Sequence, residues 1–271
     1  MLKEAFQQVT ELDGKLLRSL RLLLFRPGVL SREYIDDRRV RYASPISLFL
    51  LANVLYFFSP AMSDFNLPFA DQVPGPMAVR SLDPSVDIGA VRRQQLARNF
   101  GQAHSRWTAP LVERKLKAGI ATHPGYDMHA LAQDYDREAG IVGKVLIVVH
   151  VPIMALALAL VLLRKRRYFV EHFVVALHLF TFLLLYAQLL LTPMNWIATR
   201  AGIDLAPAPA AALKLFLTGV VLAYMLLACR RAYGLGWGWA TAGLFAALFG
   251  LLFANLWIYR ALQFLVTLAL V

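Results

Sequence analysis

IVGKVLIVVHVPIMALALALVLLRKRRYFVEHFVVALHLFTFLLLYAQLLL, residues 141–191, consists of two long apolar runs joined at Arg164, Lys165, Arg166 and Arg167. A helix needs about 20 apolar residues to cross the hydrocarbon core of a bilayer, and four consecutive cations are too costly to sit inside it. The stretch therefore reads as two transmembrane helices, 141–163 and 169–191, turning back at a basic hairpin. Similar runs at 45–60, 211–228 and 237–259 bring the expected number of spans to five. The remaining Ala261 to Val271 is apolar but about half the required length. It is read as interfacial or as a continuation of the fifth helix.

The composition agrees with this reading. Hydrophobic residues make up 59% of the 271, too many for an ordinary soluble domain of this size. The formal charge of +11 raises the question of a nucleic-acid partner, but the basic residues lie beside apolar runs and form no separate basic domain. Anionic membrane lipids are the expected partner, and nucleic acid is not. A single cysteine, Cys229, excludes an intramolecular disulfide and a cysteine-rich metal cage. The opening MLKEAFQQVTELDG has acids and amides where a secretory signal would be apolar, so no cleaved leader is expected.

Orientation follows from the lysines and arginines of the short connections, which resist translocation. They cluster before the first span (Lys15, Arg18, Arg21, Arg26, Arg32, Arg38, Arg39, Arg41), at the 164–167 hairpin, and at Arg230 and Arg231. All three groups are assigned to the cytoplasmic side. The long connection 61–140, with nine basic and nine acidic residues, and the short one holding Arg200 and Asp204 then fall outside. The expected organisation is a basic interfacial cytoplasmic segment (1–44), a first transmembrane helix (45–60), a periplasmic insertion (61–140) and a helical membrane bundle (141–271). The fold class is all-α, multi-pass, with the amino terminus cytoplasmic and the carboxyl terminus periplasmic. An even number of spans, with the last stretch folding back, is the alternative.

Within the first segment Leu12, Leu16, Leu20 and Leu24 recur every four residues while Lys15, Arg18 and Arg21 lie on another face, as in a helix lying in the head-group plane. Pro27 and Gly28 end it; Ser31 is expected to cap a second short helix through Tyr42; Ser44 and Pro45 form a cap and first-turn pair for span one. Candidate head-group contacts are Arg18, Arg21, Arg26, Arg38, Arg39 and Arg41. The insertion begins loop-like around Pro68, Pro74, Pro76 and Pro84 and then predicts helices near 88–103, 110–121 and 127–138, with Val112, Leu116 and Ile120 as an apolar stripe.

The polar groups inside the spans are the candidate membrane site: His150, Glu171, His172 and His178. Glu171 and His178 are seven residues apart and share a face about 10 Å apart along the axis, too far for one metal ion, whereas His172 points elsewhere. In an antiparallel hairpin about 164–167, His150 falls within about one turn of the level of His178, near mid-membrane. The pair is either structural glue between helices or a route for protons or ions. Glu171 lies in the first turn of its helix, four residues after Arg167, which suits a local ion pair. Ala242, Ala246, Gly250 and Ala254 form a small-residue stripe for close helix packing, on this chain's own helices or in a homodimer. His123, Asp127 and His129 have generic spacing. No catalytic constellation, metal-ligand set or cofactor motif is identified.

The stretch FRPGVLSREYIDDRRVRYASP, residues 25–45, resembles a family of bacterial membrane proteins known as domain of unknown function 3667. The resemblance rests on Arg26-Pro27-Gly28, Tyr34, Arg38, Arg39, Tyr42 and Pro45. It extends to the hairpin pattern Arg167, Tyr168, Glu171, His172 and His178, and covers about 20–55 and 145–190. Many such proteins begin with a cysteine-rich zinc ribbon, which this chain lacks before Cys229, and often carry a histidine where Phe180 stands here. The resemblance implies kinship and a bacterial inner-membrane location. It implies no activity. The expectation is a noncatalytic organising or regulatory protein acting through lipid and protein contacts; a small transporter or ion pathway through the histidines is the alternative.

Overall fold

The computed structural model describes residues 2–58, 67–82, 89–98, 101–165, 167–201 and 208–271; Pro84, Arg166, Asp204 and the last residues of the 45–60 run lie outside them. Helices follow one another as α1 (Leu2–Phe25), α2 (Val29–Ile35), α3 (Pro45–Phe58), α4 (Phe69–Gln72), α5 (Gly75–Arg80), α6 (Ala90–Ala97) and α7 (Ser105–Thr122). Then come α8 (Met128–Leu146), α9 (His150–Val161), α10 (Phe169–Tyr186), α11 (Thr192–Arg200), α12 (Ala208–Tyr233), α13 (Trp237–Phe253) and α14 (Arg260–Leu270). No strand occurs among the described residues. Five helical runs are long and apolar enough to cross a membrane: Arg39–Phe57, Met128–Val161, Phe169–Ala198, Ala212–Tyr233 and Trp237–Leu270. The chain is thus an all-α, multi-pass membrane protein.

Two of these runs are 34 residues long, well beyond the requirement for spanning. Each changes helix type on the way. Pro152 lacks an N–H and its ring crowds the carbonyl four residues back; the helix tightens into a 3₁₀ turn at Ile147–Val149 just before it. Pro193 has the same effect on the third span, where Ala187–Leu191 widens into a π turn. The final apolar stretch continues the fifth helix through a second π segment, Ala254–Tyr259, into α14. Of the two readings offered for it, the continuation is the one adopted.

The chain divides into two compact units, Met1–Ala61 with His150–Leu252, and Met62–Val149 with Phe253–Val271. In the first, α10 is the central helix: it packs on α9 and α3 and also meets α1, α2 and α12. Its apolar run is buried from Val175 to Leu185 except at one half-buried position, Leu183. Ser44 caps α3 as expected, its hydroxyl accepting from the Ser47 N–H at 3.0 Å. One member of the small-residue stripe, Gly250, has its packing partner within this unit. A Cβ at Gly250 would lie 2.8 Å from the Met154 Cα, so α13 packs there with its backbone directly on α9.

The second unit has a core of its own around Phe69, Tyr135 and Phe264, to which Val112, Leu116 and Leu131 belong. Helices α8 and α14 are pinned side by side: Tyr259 donates to the Gly143 carbonyl at 2.9 Å and Gln263 to the Ala139 carbonyl at 3.2 Å. Of the expected helices of the insertion, 88–103 is reduced to α6, Ala90–Ala97, among the described residues, 110–121 lies within α7, and the third begins near 127 as expected but runs on to Leu146 as α8. The proline-rich beginning, read as loop, forms the short helices α4 and α5, because Pro68 and Pro74 stand just before a first turn and Pro76 within one, where no N–H is needed. The stripe expected on α7 holds for Val112 and Leu116 only; Ile120 is 53% exposed. Asp127 caps α8 by accepting from the Ala130 N–H, and His129 bonds the Ser81 carbonyl.

The α9–α13 contact yields a test of packing. Gly250→Val should destabilise the protein by about 1–3 kcal/mol, since the new methyls meet main chain and not a movable side-chain tip. Thermal unfolding in detergent micelles reads this directly, with Gly219→Val, at an open position, as the comparison.

Candidate functional site

The chain turns sharply between α1 and α2 at Pro27 and Gly28. Gly28 has φ +77°, a left-handed conformation that side chains disfavour, and a Cβ there would run into the backbone of Ala228 on α12. Both facts demand glycine. The turn lets α2 lie against α12 and α10, burying Leu30 and Ser31 to 2% and 4% exposure. Ser31 is therefore not a helix cap; Gly28 holds the cap position, and Ser31 sits inside α2 facing the bundle. Its hydroxyl is hydrogen-bonded to Nδ1 of His178, 2.9 Å away.

This bond organises the site. Tyr34, one turn further along α2, places its ring edge-on to the His178 imidazole with centroids 5.6 Å apart. The Tyr34 hydroxyl donates to the Ala43 carbonyl, and the Ala43 N–H donates to Ser19 Oγ on α1 at 2.9 Å. Higher up the chain Tyr224 on α12 donates to the Leu23 carbonyl. The segment from α1 to the start of α3 is thus closed on itself and fastened to the bundle through buried polar groups. Among the α1 side chains described, from Gly14 onward, burial centres on Ser19 and Leu23, with Leu16, Leu20 and Leu24 half-buried; the side chain of Leu12 lies outside them. The fourfold leucine pattern had pointed a little to one side of that face, because it counted only apolar residues and passed over Ser19.

The four candidate polar residues of the membrane site do not converge. His178 holds Ser31 and buries its Nε2 without a hydrogen-bond partner among the described residues. His150 lies at the expected level, its ring stacked on Phe180 with centroids 5.4 Å apart. His172 points to another neighbour, the Tyr233 hydroxyl of α12, at 2.9 Å. Glu171 takes the local ion pair with Arg167, 3.1 Å across one helical turn. Three His, Cys, Asp or Glu side chains placed to share a metal ion do not occur among the described residues. Ser19, Tyr224 and Tyr233 were not singled out from the sequence, and no local signal marks them: their partners lie 24, 201 and 61 residues away.

The basic candidates separate into two groups. Arg38 donates to both oxygens of Glu33 and to Asp36, and Arg32 donates to Asp36. The hydrogen bond from Arg38 holds Glu33 below the ordinary value of 4.5, and that from Arg32 holds Asp36 below 3.8. A depressed carboxylate contributes in its ionised form, so the bracing of this loop is complete at neutral pH and fades as pH falls below these values. Arg38 is therefore spent on the loop itself. Arg18, Arg21, Arg26 and Arg41 are exposed and make no ion pair among the described residues, and Arg39 has only a distant contact with Asp37, 3.9 Å. Leu17, Phe25 and Val40 stand exposed among them at 67%, 77% and 79%.

The Ser31–His178 bond is open to a double-mutant cycle. Ser31→Ala, His178→Ala and the pair, compared by unfolding in micelles, should give a coupling energy of about 0.6–1.7 kcal/mol, the range of buried side-chain bonds in membrane bundles. Independent residues would add without coupling.

Residues 13–57, which run from α1 through α3, match the family described as Protein of unknown function (DUF3667). The matched segment contains Ser19, Gly28, Ser31 and Tyr34, but not the hairpin residues 167–178. No curated protein and no solved structure matches the chain. In its amino-terminal segment the chain is thus similar to a family described only as of unknown function.

Proposed function

We propose that this is a noncatalytic protein of a bacterial inner membrane that organises or regulates through contacts with anionic lipids, with its amino terminus cytoplasmic and its carboxyl terminus periplasmic. The observation that carries the reading is the composition of the exposed face of the matched segment. Arg18, Arg21, Arg26, Arg39 and Arg41 alternate there with exposed Leu17, Phe25 and Val40. Apolar side chains sink into the acyl boundary while guanidinium groups meet phosphates in the head-group layer. The bonds from Ser31, Tyr34 and Ser19 hold this face in a fixed arrangement, so little ordering is left for the lipid to impose.

The orientation is supported by the same residues together with Arg164 and Arg167 at the α9–α10 turn and Arg230 and Arg231 at the end of α12, the distribution expected of cytoplasmic ends. Arg230 lies 4.0 Å over the Trp237 ring, an arrangement suited to an interface. A partner membrane protein or a second copy would approach through other lipid-facing surfaces.

Native mass spectrometry of protein released from nanodiscs containing equal phosphatidylglycerol and phosphatidylcholine tests the reading. Wild type should retain phosphatidylglycerol in preference, and Arg39→Glu with Arg41→Glu should reduce that retention by about thirtyfold, as expected for about 1 kcal/mol lost at each of the two displaced cation-phosphate contacts. Equal retention of the two lipids, or no change in the variant, overturns it.

A second reading, a proton or ion pathway, draws on the buried Nε2 of His178. It predicts pH-dependent flux into proteoliposomes that His178→Ala abolishes. Unchanged background leak in wild type and variant alike disposes of it.

A further inference from the structure

The second unit carries an open groove of about 430 Å³ between α7 and α14, lined by no residue discussed as a site so far. Its apolar lining comes from both helices, Leu111 and Ala118 on α7 and Leu265, Leu268 and Ala269 on α14. Arg114 and Lys115 complete it. Neither cation forms an ion pair among the described residues, and Glu113, the one acid of α7, is not part of the lining. The volume falls toward the lower end of what small-ligand sites offer, about 300–1,000 Å³.

We propose that this groove binds a long-chain carboxylate, with the hydrocarbon chain along Leu111, Ala118, Leu265 and Leu268 and the carboxylate against Arg114 and Lys115. The lining decides the chemistry at both ends. An apolar trough favours removal of methylenes from water, whereas a pair of uncompensated cations at its edge favours an anion through charge-assisted hydrogen bonds. A neutral lipid satisfies only the first condition and a free inorganic anion only the second. The same cations make the groove a poor surface for bilayer hydrocarbon, where their cost would be high. Trp107, 54% exposed, lies on the same face of α7 as Leu111, Arg114 and Ala118, one turn before Leu111, and extends the apolar edge toward which a chain would be drawn. This binding is independent of the amino-terminal basic surface.

Photocrosslinking tests it on the whole protein in phosphatidylcholine nanodiscs, using a palmitic acid that carries a diazirine near the chain end. Adducts mapped by tandem mass spectrometry should fall on peptides containing residues 111–118 and 265–269. Palmitate should compete them away, and hexadecanol, which has the chain without the charge, should not. Arg114→Glu with Lys115→Glu should weaken labelling about tenfold; Ala118→Trp, an exposed position where a large ring fills the trough without touching the core, should block it while leaving the melting temperature unchanged. Adducts confined to other helices, equal competition by hexadecanol, stronger competition by phosphatidylglycerol than by palmitate, or undiminished labelling in both variants would each overturn the proposal.

Discussion

Polar groups removed from water must find partners inside the protein, and in the first unit that requirement falls on helix α10. Its position among α3, α9, α2 and α12 leaves His172 and His178 at 2% exposure. An imidazole in such surroundings is costly unless its nitrogens are bonded. Each histidine meets the need at Nδ1 with a hydroxyl from a distant part of the chain, Tyr233 for His172 and Ser31 for His178, while Nε2 of His178 is left without a hydrogen-bond partner among the described residues. The second bond fixes more than a side chain. It requires α2 to lie against the bundle, which requires the left-handed turn at Gly28, which in turn sets where α1 and its arginines stand.

The basic segment is accordingly less like a free amphipathic anchor than like a mounted plate. Arg38 and Arg32 brace it from within through Glu33 and Asp36, and the remaining cations face outward among apolar side chains. Arginine content alone does not distinguish these roles. Geometry does, because a guanidinium already sharing two carboxylates has little to gain from a phosphate, while Arg41 and Arg26 form no ion pair among the described residues.

What could be read from the sequence was whatever depended on near neighbours. Apolar run length gave the five spans, Arg167 and Glu171 gave their ion pair, and Ser44 with Pro45 gave the start of α3, each settled within a few residues. The level of His150 followed from hairpin counting for the same reason. Ser31 was misplaced because a serine after a glycine turn has two good local uses, as cap or as buried donor, and only the residue 147 positions away decides between them. Ile120 continues a helical period but lies beyond the reach of the second unit's core, so period alone could not tell burial from exposure. The π turns are a further case: each inserts a residue into the helical count and moves everything after it to a new face.

The separation between Ser31 and His178 also imposes an order in time. During synthesis the α1–α2 turn leaves the ribosome well before its partner helix, by about 7–30 seconds at 5–20 residues per second. Throughout that interval Ser31, Leu30 and the Gly28 turn have no α10 or α12 to receive them. On the proposed reading the segment waits at the surface of the membrane, held by its charges and exposed apolar side chains, until the hairpin at 164–167 is complete. On the proposed reading, the features that would place it at the head groups thus also store it during assembly, and α12, which follows α10 out of the ribosome, carries the residues, Tyr224 and Ala228, that lock it down.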